Sequence, residues 1–121
     1  MISRGLPPAV ADRLSADLRK ARDAAIGREF GRVWERLEEA HVLSQPWAWP
    51  HIRVHAAMLS LGWRTRDRRE VTGQLLRIVV AGPGSLVGRY PVGNTGRASV
   101  PLTRPMPMPA DLRALLDADD V

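Results

Sequence analysis

The sequence of 121 residues contains no cysteine, which excludes disulfide bonds and thiolate metal ligands. The chain is therefore not one of the small secreted proteins that disulfides hold together. Its apolar runs, such as 78–81, are far shorter than the roughly 20 residues of a membrane-spanning helix. Segment 1–8 lacks the apolar stretch of a signal peptide. These absences predict a cytoplasmic protein without a membrane span.

Lysine is almost absent, because Lys20 is the only lysine among 18 basic residues. The formal net charge of +5 is therefore carried by arginines. They are scattered along the chain, and their densest group, 64–69, lies at a predicted helix junction. Scattered arginines can contact phosphates but provide no element that reads bases. We therefore expect no sequence-specific binding of nucleic acid.

Four segments show the apolar spacing and the end signals of α-helices. Their predicted ranges are about 9–25, 28–43, 50–64 and 67–81. Prolines precede or begin the first and third helices, and Asp67 with Glu70 resembles a capping box at the start of the fourth. The fourth helix has its predicted apolar face at Val71, Leu75, Ile78 and Val79.

The Gly-Pro-Gly segment 82–84 is predicted to end the fourth helix. Residues 82–109 are rich in Gly and Pro and are predicted to form an extended C-terminal strap, followed by a short helix at 110–116. The expected fold is all-α, with four main helices as two antiparallel hairpins paired as in tetratricopeptide proteins. We expect a single domain over 1–121, with its helical core at about 7–81 and the strap and terminal helix at 82–117.

The only histidines of the sequence are His41, His51 and His55. At about 100° per residue, His41 falls within about 40° of the apolar stripe of the second helix that includes Trp34. His51 and His55 lie one turn apart on one face of the third helix. Because a short loop should make these helices antiparallel, His41 is expected to face the other two across the seam.

Three converging histidines predict a divalent metal site, since imidazole nitrogens bind zinc in tetrahedral sites. Glu38 lies one turn before His41 and is the predicted fourth ligand or a base, whereas Glu39 points away. Zinc is the expected metal. Copper is the second candidate, because Met106 and Met108 offer soft thioether ligands. The alternative is a group of core histidines bonded to the backbone or to Glu38.

The histidines do not match the zincin motif, which has glutamate directly after its first histidine, because Ile52 follows His51. Three histidines with an open fourth position can still activate water. A metal-dependent hydrolase is therefore an alternative to metal binding or buffering, which we favour. A metal-free helical interaction module is the other alternative, with Trp47 and Trp49 as a gate or as contacts to an unidentified protein partner. No oligomeric state follows from the sequence.

A second polar feature is the tight turn formed by Gly93, Asn94, Thr95 and Gly96. Gly and Asn tolerate positive φ, so this segment is a strong turn signal. Successive N–H groups in such a turn can bind an anion. A turn that simply holds the strap is the favoured interpretation.

Several motifs together resemble one family. They are AHVLSQ (40–45), PHIRVH (50–55), GQLLR (73–77), PVGNTG (91–96) and PMP (105–107). The chain is similar over about 21–116 to a short bacterial family known only as domain of unknown function 3703. This resemblance implies that His41, His51, His55 and the turn at Asn94 are signature positions. It implies no activity, because the family has none assigned.

Overall fold

The computed structural model describes residues 5–118, which contain five α-helices and no strand. They are α1 (Pro8–Ile26), α2 (Phe30–Ser44), α3 (Ala48–Arg64), α4 (Arg68–Leu86) and α5 (Ala110–Asp117). α1 packs on α2 and α3 packs on α4, while α2 also packs on α3. The all-α prediction with four main helices and a short terminal helix is confirmed. Residues 1–4 and 119–121 lie outside the described residues. They include part of the N-terminal segment that was predicted to lack a signal peptide, and both ends of the predicted 1–121 domain.

The main core forms between the first three helices. It consists of Leu14 and Ala21 of α1, Val33, Leu37 and Ala40 of α2, and Val54, Met58 and Leu61 of α3. Full burial of each large aliphatic side chain contributes roughly 1.5–3 kcal/mol. This core fixes the end of α2 against the start of α3, the region that carries the histidines.

α4 continues to Leu86, so the prediction that the Gly-Pro-Gly segment 82–84 ends it is wrong. A Cβ on Gly82 would lie 2.9 Å from Cδ1 of Ile52, so the absence of a side chain lets α3 and α4 approach closely. Pro83 in the last turn has no N–H to donate to the carbonyl four residues earlier, so the helix gives up one hydrogen bond and still continues to Leu86. Packing against α3 therefore outweighs the low helix propensity of this segment. The other helix ends differ from the predictions by at most two residues.

The buried face of α4 is polar, so the predicted apolar face does not point into the protein. The helix buries Glu70, Gln74, Arg77 and Ser85, together with two small residues. In contrast, Leu75 is 53% exposed and Val79 is 72% exposed.

The strap, residues 87–109 in the structure, is held by side chains of the helices. Gln45 at the end of α2 donates to the carbonyl of Pro91 at 2.9 Å. Arg77 of α4 donates to the carbonyls of Arg97 and Val100 at 3.1 and 2.8 Å. The strap thereby closes over the region where α2, α3 and α4 meet. None of the helices within 5–118 has the length and apolar character needed to cross a membrane.

Candidate metal centre

The three histidines come together where α2 ends and α3 begins. His41 lies in the last turn of α2, and His51 and His55 lie one turn apart near the start of α3. All three are buried, with 2–5% of their surface exposed. The sequence-based prediction that these residues face each other across the helix seam therefore agrees with the structure.

The Nε2 atoms of the three rings converge on one point. The distance from His41 Nε2 is 3.0 Å to that of His51 and 3.0 Å to that of His55, and the third side of the triangle is 3.2 Å. Three nitrogens bound to one tetrahedral zinc ion lie about 3.3 Å apart. The triangle is thus close to the size that a shared metal ion requires.

The opposite ring nitrogen of His41 is held by the strap. His41 Nδ1 lies 2.7 Å from the backbone carbonyl oxygen of Asn94. A carbonyl oxygen only accepts hydrogen bonds, so Nδ1 must carry the proton. In the neutral ring, Nε2 therefore presents its lone pair to the other two histidines.

The same proton placement follows for His55 from its neighbour on α4. His55 Nδ1 lies 2.7 Å from Oε1 of Gln74. The amide nitrogen of Gln74 donates to Glu70 at 3.0 Å and to the carbonyl of Gly96 at 2.8 Å, which fixes the orientation of the amide. Because Oε1 is an acceptor, His55 also carries its proton on Nδ1.

His51 is oriented by a serine of α4. His51 Nδ1 lies 2.8 Å from Oγ of Ser85. Ser85 donates its only hydrogen to the backbone carbonyl of Gln45 at 2.5 Å, so its oxygen accepts from His51. All three histidines therefore carry their protons on the outer nitrogen.

This proton placement leaves three lone pairs facing each other with no hydrogen between them. Neutral imidazoles in this tautomer cannot hydrogen-bond to one another through Nε2. A cation at the centre would satisfy all three nitrogens at once. The outer hydrogen bonds correspond to those that orient the histidine ligands of metal sites and fix their tautomer.

The surroundings also keep the rings neutral. Burial above all, and then the neighbouring His55, lower the pKa of His51 to about 3. Burial lowers the pKa of His55 to about 4, although its hydrogen bond with Gln74 opposes this. The pKa of His41 lies well below 6.5 for the same reason, burial above all. Neutral imidazole is the form that binds metals.

Glu38 is not brought into this group. Within 5–118, the potential ligands that cluster in a group of three or more are the three histidines alone. Burial raises the pKa of Glu38, and the charges that act on it include Arg97 of the strap. Glu39 points away from the histidines, as predicted, and accepts from Arg13 of α1 at 2.7 Å.

Segment 93–96 supports His41, and its hydrogen-bonded turn lies two residues earlier than predicted, where the amide of Asn94 donates to the carbonyl of Pro91 at 3.0 Å. The amide of Gly93 donates to Gln45, and that of Gly96 donates to the side chain of Asn94. The Asn94 side chain also ties the strap together by donating to two strap carbonyls. A Cβ on Gly96, which has φ +84°, would lie 2.6 Å from Cδ2 of His41. The turn therefore needs glycine here to approach the imidazole.

The two tryptophans beside the histidines occupy different environments. Trp47 is 7% exposed and lies just before α3, against the strap and α5. Trp49 is 73% exposed on the first turn of α3. Neither is among the residues that line the cavity beside the histidines. Trp49 thus remains available to a partner, whereas Trp47 is part of the interior.

Of the residues that hold the outer nitrogens and their supports, sequence reasoning singled out only Asn94, and it assigned no site role to Gln74, Ser85 or Gln45. Gln74 and Ser85 contact the rings directly, and Gln45 positions both Ser85 and the turn. The sequence did contain one signal of a buried polar face. Polar residues recur at helical spacing along α4, at Glu70, Gln74, Arg77 and Ser85, with the small Ala81 in the same row. A polar stripe of this kind on a central helix is the pattern expected of a buried hydrogen-bond network.

A family model described as "Protein of unknown function (DUF3703)" matches residues 8–116. The match covers most of the chain, so the protein belongs to this family. No curated protein and no solved structure matches the chain significantly.

Proposed function

We propose that this DUF3703 protein binds one divalent transition-metal ion through Nε2 of His41, His51 and His55. The observation that carries the proposal is the convergence of the three Nε2 lone pairs. The Nδ1 atom of each histidine ring is already engaged as a hydrogen-bond donor. Coordination would join α2 to α3 and add its free energy to folding. Binding or buffering of the metal is the favoured role.

Zinc is the first candidate and copper the second. Imidazole ligands suit both metals, whereas thioether sulfur selects copper(I). No methionine is among the described residues that line the cavity beside the histidines. Met58, which shares a helix with two of the histidines, packs in the main core. The described surroundings therefore support zinc over copper.

The lining of the cavity supports binding over hydrolysis. A metal-dependent hydrolase needs a general base within reach of the attacking water. Within 5–118, no aspartate or glutamate lines the cavity next to the histidines. Glu38, the base suggested by the sequence, is absent from this lining. The fourth coordination position is therefore proposed to take water or an added ligand, not a protein carboxylate.

The test is calorimetric titration of chelator-treated protein, prepared without an affinity tag, with Zn²⁺, Cu²⁺ and Ni²⁺. We expect one site per chain, and the variant His51→Ala/His55→Ala should weaken Zn²⁺ binding by more than about 100-fold. Arg53→Ala, an exposed change between the two histidines, is the matched control and should leave affinity unchanged. At 100 times the dissociation constant, Zn²⁺ should raise the melting temperature by roughly 10 °C. Equal binding by wild type and the double variant would refute the proposal.

A metal-free interaction module is the second candidate function. The exposed indole of Trp49 and the apolar outer face of α4 support it. Under this alternative, the histidines would form only a buried structural group. It predicts that wild type binds Zn²⁺ no more tightly than the double histidine variant, so the same titration distinguishes the two functions.

A further inference from the structure

A cavity of about 140 Å³ adjoins the three histidines. Its volume is similar to that of a protein cavity known to accept benzene, so it fits one small molecule. The walls combine apolar residues, Val80, Ala81 and Leu102, with Arg77 and Tyr90. A molecule in this space would lie next to the point on which the Nε2 atoms converge.

The electrostatic character of this cavity is positive. Arg77 lines it, is 6% exposed, and has no carboxylate oxygen within 4.0 Å among residues 5–118. Its three hydrogen bonds go to the carbonyls of Gly73, Arg97 and Val100, and they use three of its five N–H groups. The other two N–H groups have no acceptor among residues 5–118. Glu70, the carboxylate whose charge acts on Arg77, is engaged by Arg97 at 2.7 Å.

We infer that the cavity takes a small monocarboxylate, bound by the metal and by Arg77. The inference rests on the proposed metal site. Three neutral histidines leave the two charges of the ion uncompensated, and Arg77 and Arg89 of the lining add further positive charge. No described residue of the cavity wall supplies a negative charge. A carboxylate matches both the ion and a guanidinium, while Val80 and Leu102 favour a short hydrocarbon portion.

The test uses Co²⁺-loaded protein, whose visible absorption reports the ligands of the ion. Sodium acetate and propionate are titrated in, with sodium chloride and sodium phosphate as the comparison anions at equal ionic strength. The expected result is a saturable spectral change with the carboxylates, at concentrations at least tenfold below those at which the comparison anions act. If phosphate or chloride is bound as well as acetate, the assignment to monocarboxylates is overturned.

Two variants test the cavity and the cation separately. Ala81→Leu fills the cavity without changing any charge, and its matched control is the exposed neighbour Val79→Leu. Ala81→Leu should retain Co²⁺ and lose the acetate response at least tenfold, while Val79→Leu should retain both. Arg77→Met should also weaken acetate at least tenfold. If Arg77→Met does not fold, as judged by circular dichroism, Ala81→Leu decides the outcome.

The two levels of inference fail in different ways. Absence of Co²⁺ and Zn²⁺ binding in wild type overturns the proposed metal site and this inference with it. Normal Co²⁺ binding without an acetate response overturns only the carboxylate inference. An acetate response that persists unchanged in Ala81→Leu places the anion elsewhere and overturns it as well.

Discussion

The two helical hairpins of this protein bury different kinds of side chain. In the first hairpin, α1 and α2 pack through aliphatic residues such as Leu14 and Leu37. In the second, α4 turns polar residues such as Gln74 inward, while Leu75 beside it is more than half exposed. Hydrophobic burial therefore orients the first pair, whereas hydrogen bonds to the histidines and the strap determine the orientation of α4.

The hairpins also differ in how their buried polar groups are satisfied. Asp17 of α1 is 1% exposed, and neither carboxylate oxygen has a hydrogen bond, although Arg36 and Arg13 lie 3.7 and 3.9 Å from Oδ1. In the second hairpin, Gln74 and Ser85 hold the outer nitrogens of the histidines at 2.7–2.8 Å. A buried group without a partner costs free energy, whereas a satisfied network can be held in one arrangement. The difference identifies the second hairpin as the preorganised one.

The largest effect is expected from exchanging the inward polar side chain of α4 for an apolar one. Gln74→Leu removes the acceptor of His55 and the donor to the strap carbonyl of Gly96. Loss of such an orienting partner typically weakens a metal site about 10–100-fold. We expect a decrease of that size in Zn²⁺ affinity, measured by competition with a chromophoric chelator.

The control is Leu75→Ala, a truncation at the neighbouring exposed position. It should alter Zn²⁺ affinity less than twofold, and stability by no more than about 0.5 kcal/mol. If both variants weaken Zn²⁺ binding equally, the distinction between the inner and outer faces of α4 has no functional meaning.

A smaller effect is expected where the strap touches the metal site. Gly96→Ala places a Cβ against the His41 ring and forces a side chain into the left-handed backbone region. Together these should cost about 2 kcal/mol in unfolding free energy, measured by urea denaturation. Gly88→Ala has the same positive φ but no atom within 4 Å of the added Cβ, so it isolates the backbone contribution. If the two variants lose equal stability and retain equal Zn²⁺ affinity, the contact between Gly96 and the His41 ring does not contribute to either property.

The smallest effect concerns the unsatisfied carboxylate of the first hairpin. Burial above all, and then the neighbouring Glu39, raise the pKa of Asp17 from 3.8 to about 7, while Arg13 and Arg36 oppose the shift. The folded state thus holds a proton that the unfolded state releases. The stabilisation that this proton provides is present below about pH 4 and is lost as the pH rises through 7.

Asp17→Asn should therefore be more stable than wild type at pH 8, by about 1 kcal/mol, or roughly 4 °C in melting temperature. The advantage should shrink as the pH falls toward 5, because wild-type Asp17 is then protonated. Asp23→Asn, an exposed change on the same helix, is the matched control for the removal of one carboxylate. Thermal melts from pH 5 to 8 check the prediction, and a stability difference that does not change with pH would contradict it.

The histidine group was predictable because its geometry is local. His51 and His55 share a helical face through their spacing alone, and the position of His41 on α2 follows from the apolar stripe. A short connection then leaves few ways to place the two helices. By contrast, Glu38 also lies near this stripe, yet it is not a member of the group. Small differences in rotation about the helix axis decide such cases, and periodicity does not resolve them.

The outer partners could not be predicted in the same way, because they come from distant parts of the chain. Asn94 is 53 residues from His41, and Ser85 is 34 residues from His51. Their contacts depend on the rotation of α4 and on the path of the strap. The apolar pattern of α4 predicted a different rotation, because the partners of its polar stripe lie on distant segments of the chain.

The sequence by itself therefore determined the helical segments and the convergence of three histidines, because both follow from spacing along a helix and from one short connection. It also indicated a turn beside Asn94, because the preference for positive φ of glycine, which Gly93 and Gly96 adopt, is local. The tertiary structure alone decided which nitrogen of each histidine carries the proton, which face of α4 is buried, and how far that helix extends. These features depend on hydrogen bonds and close contacts between segments that are distant along the chain, and the spacing of residues within one helix does not identify their partners.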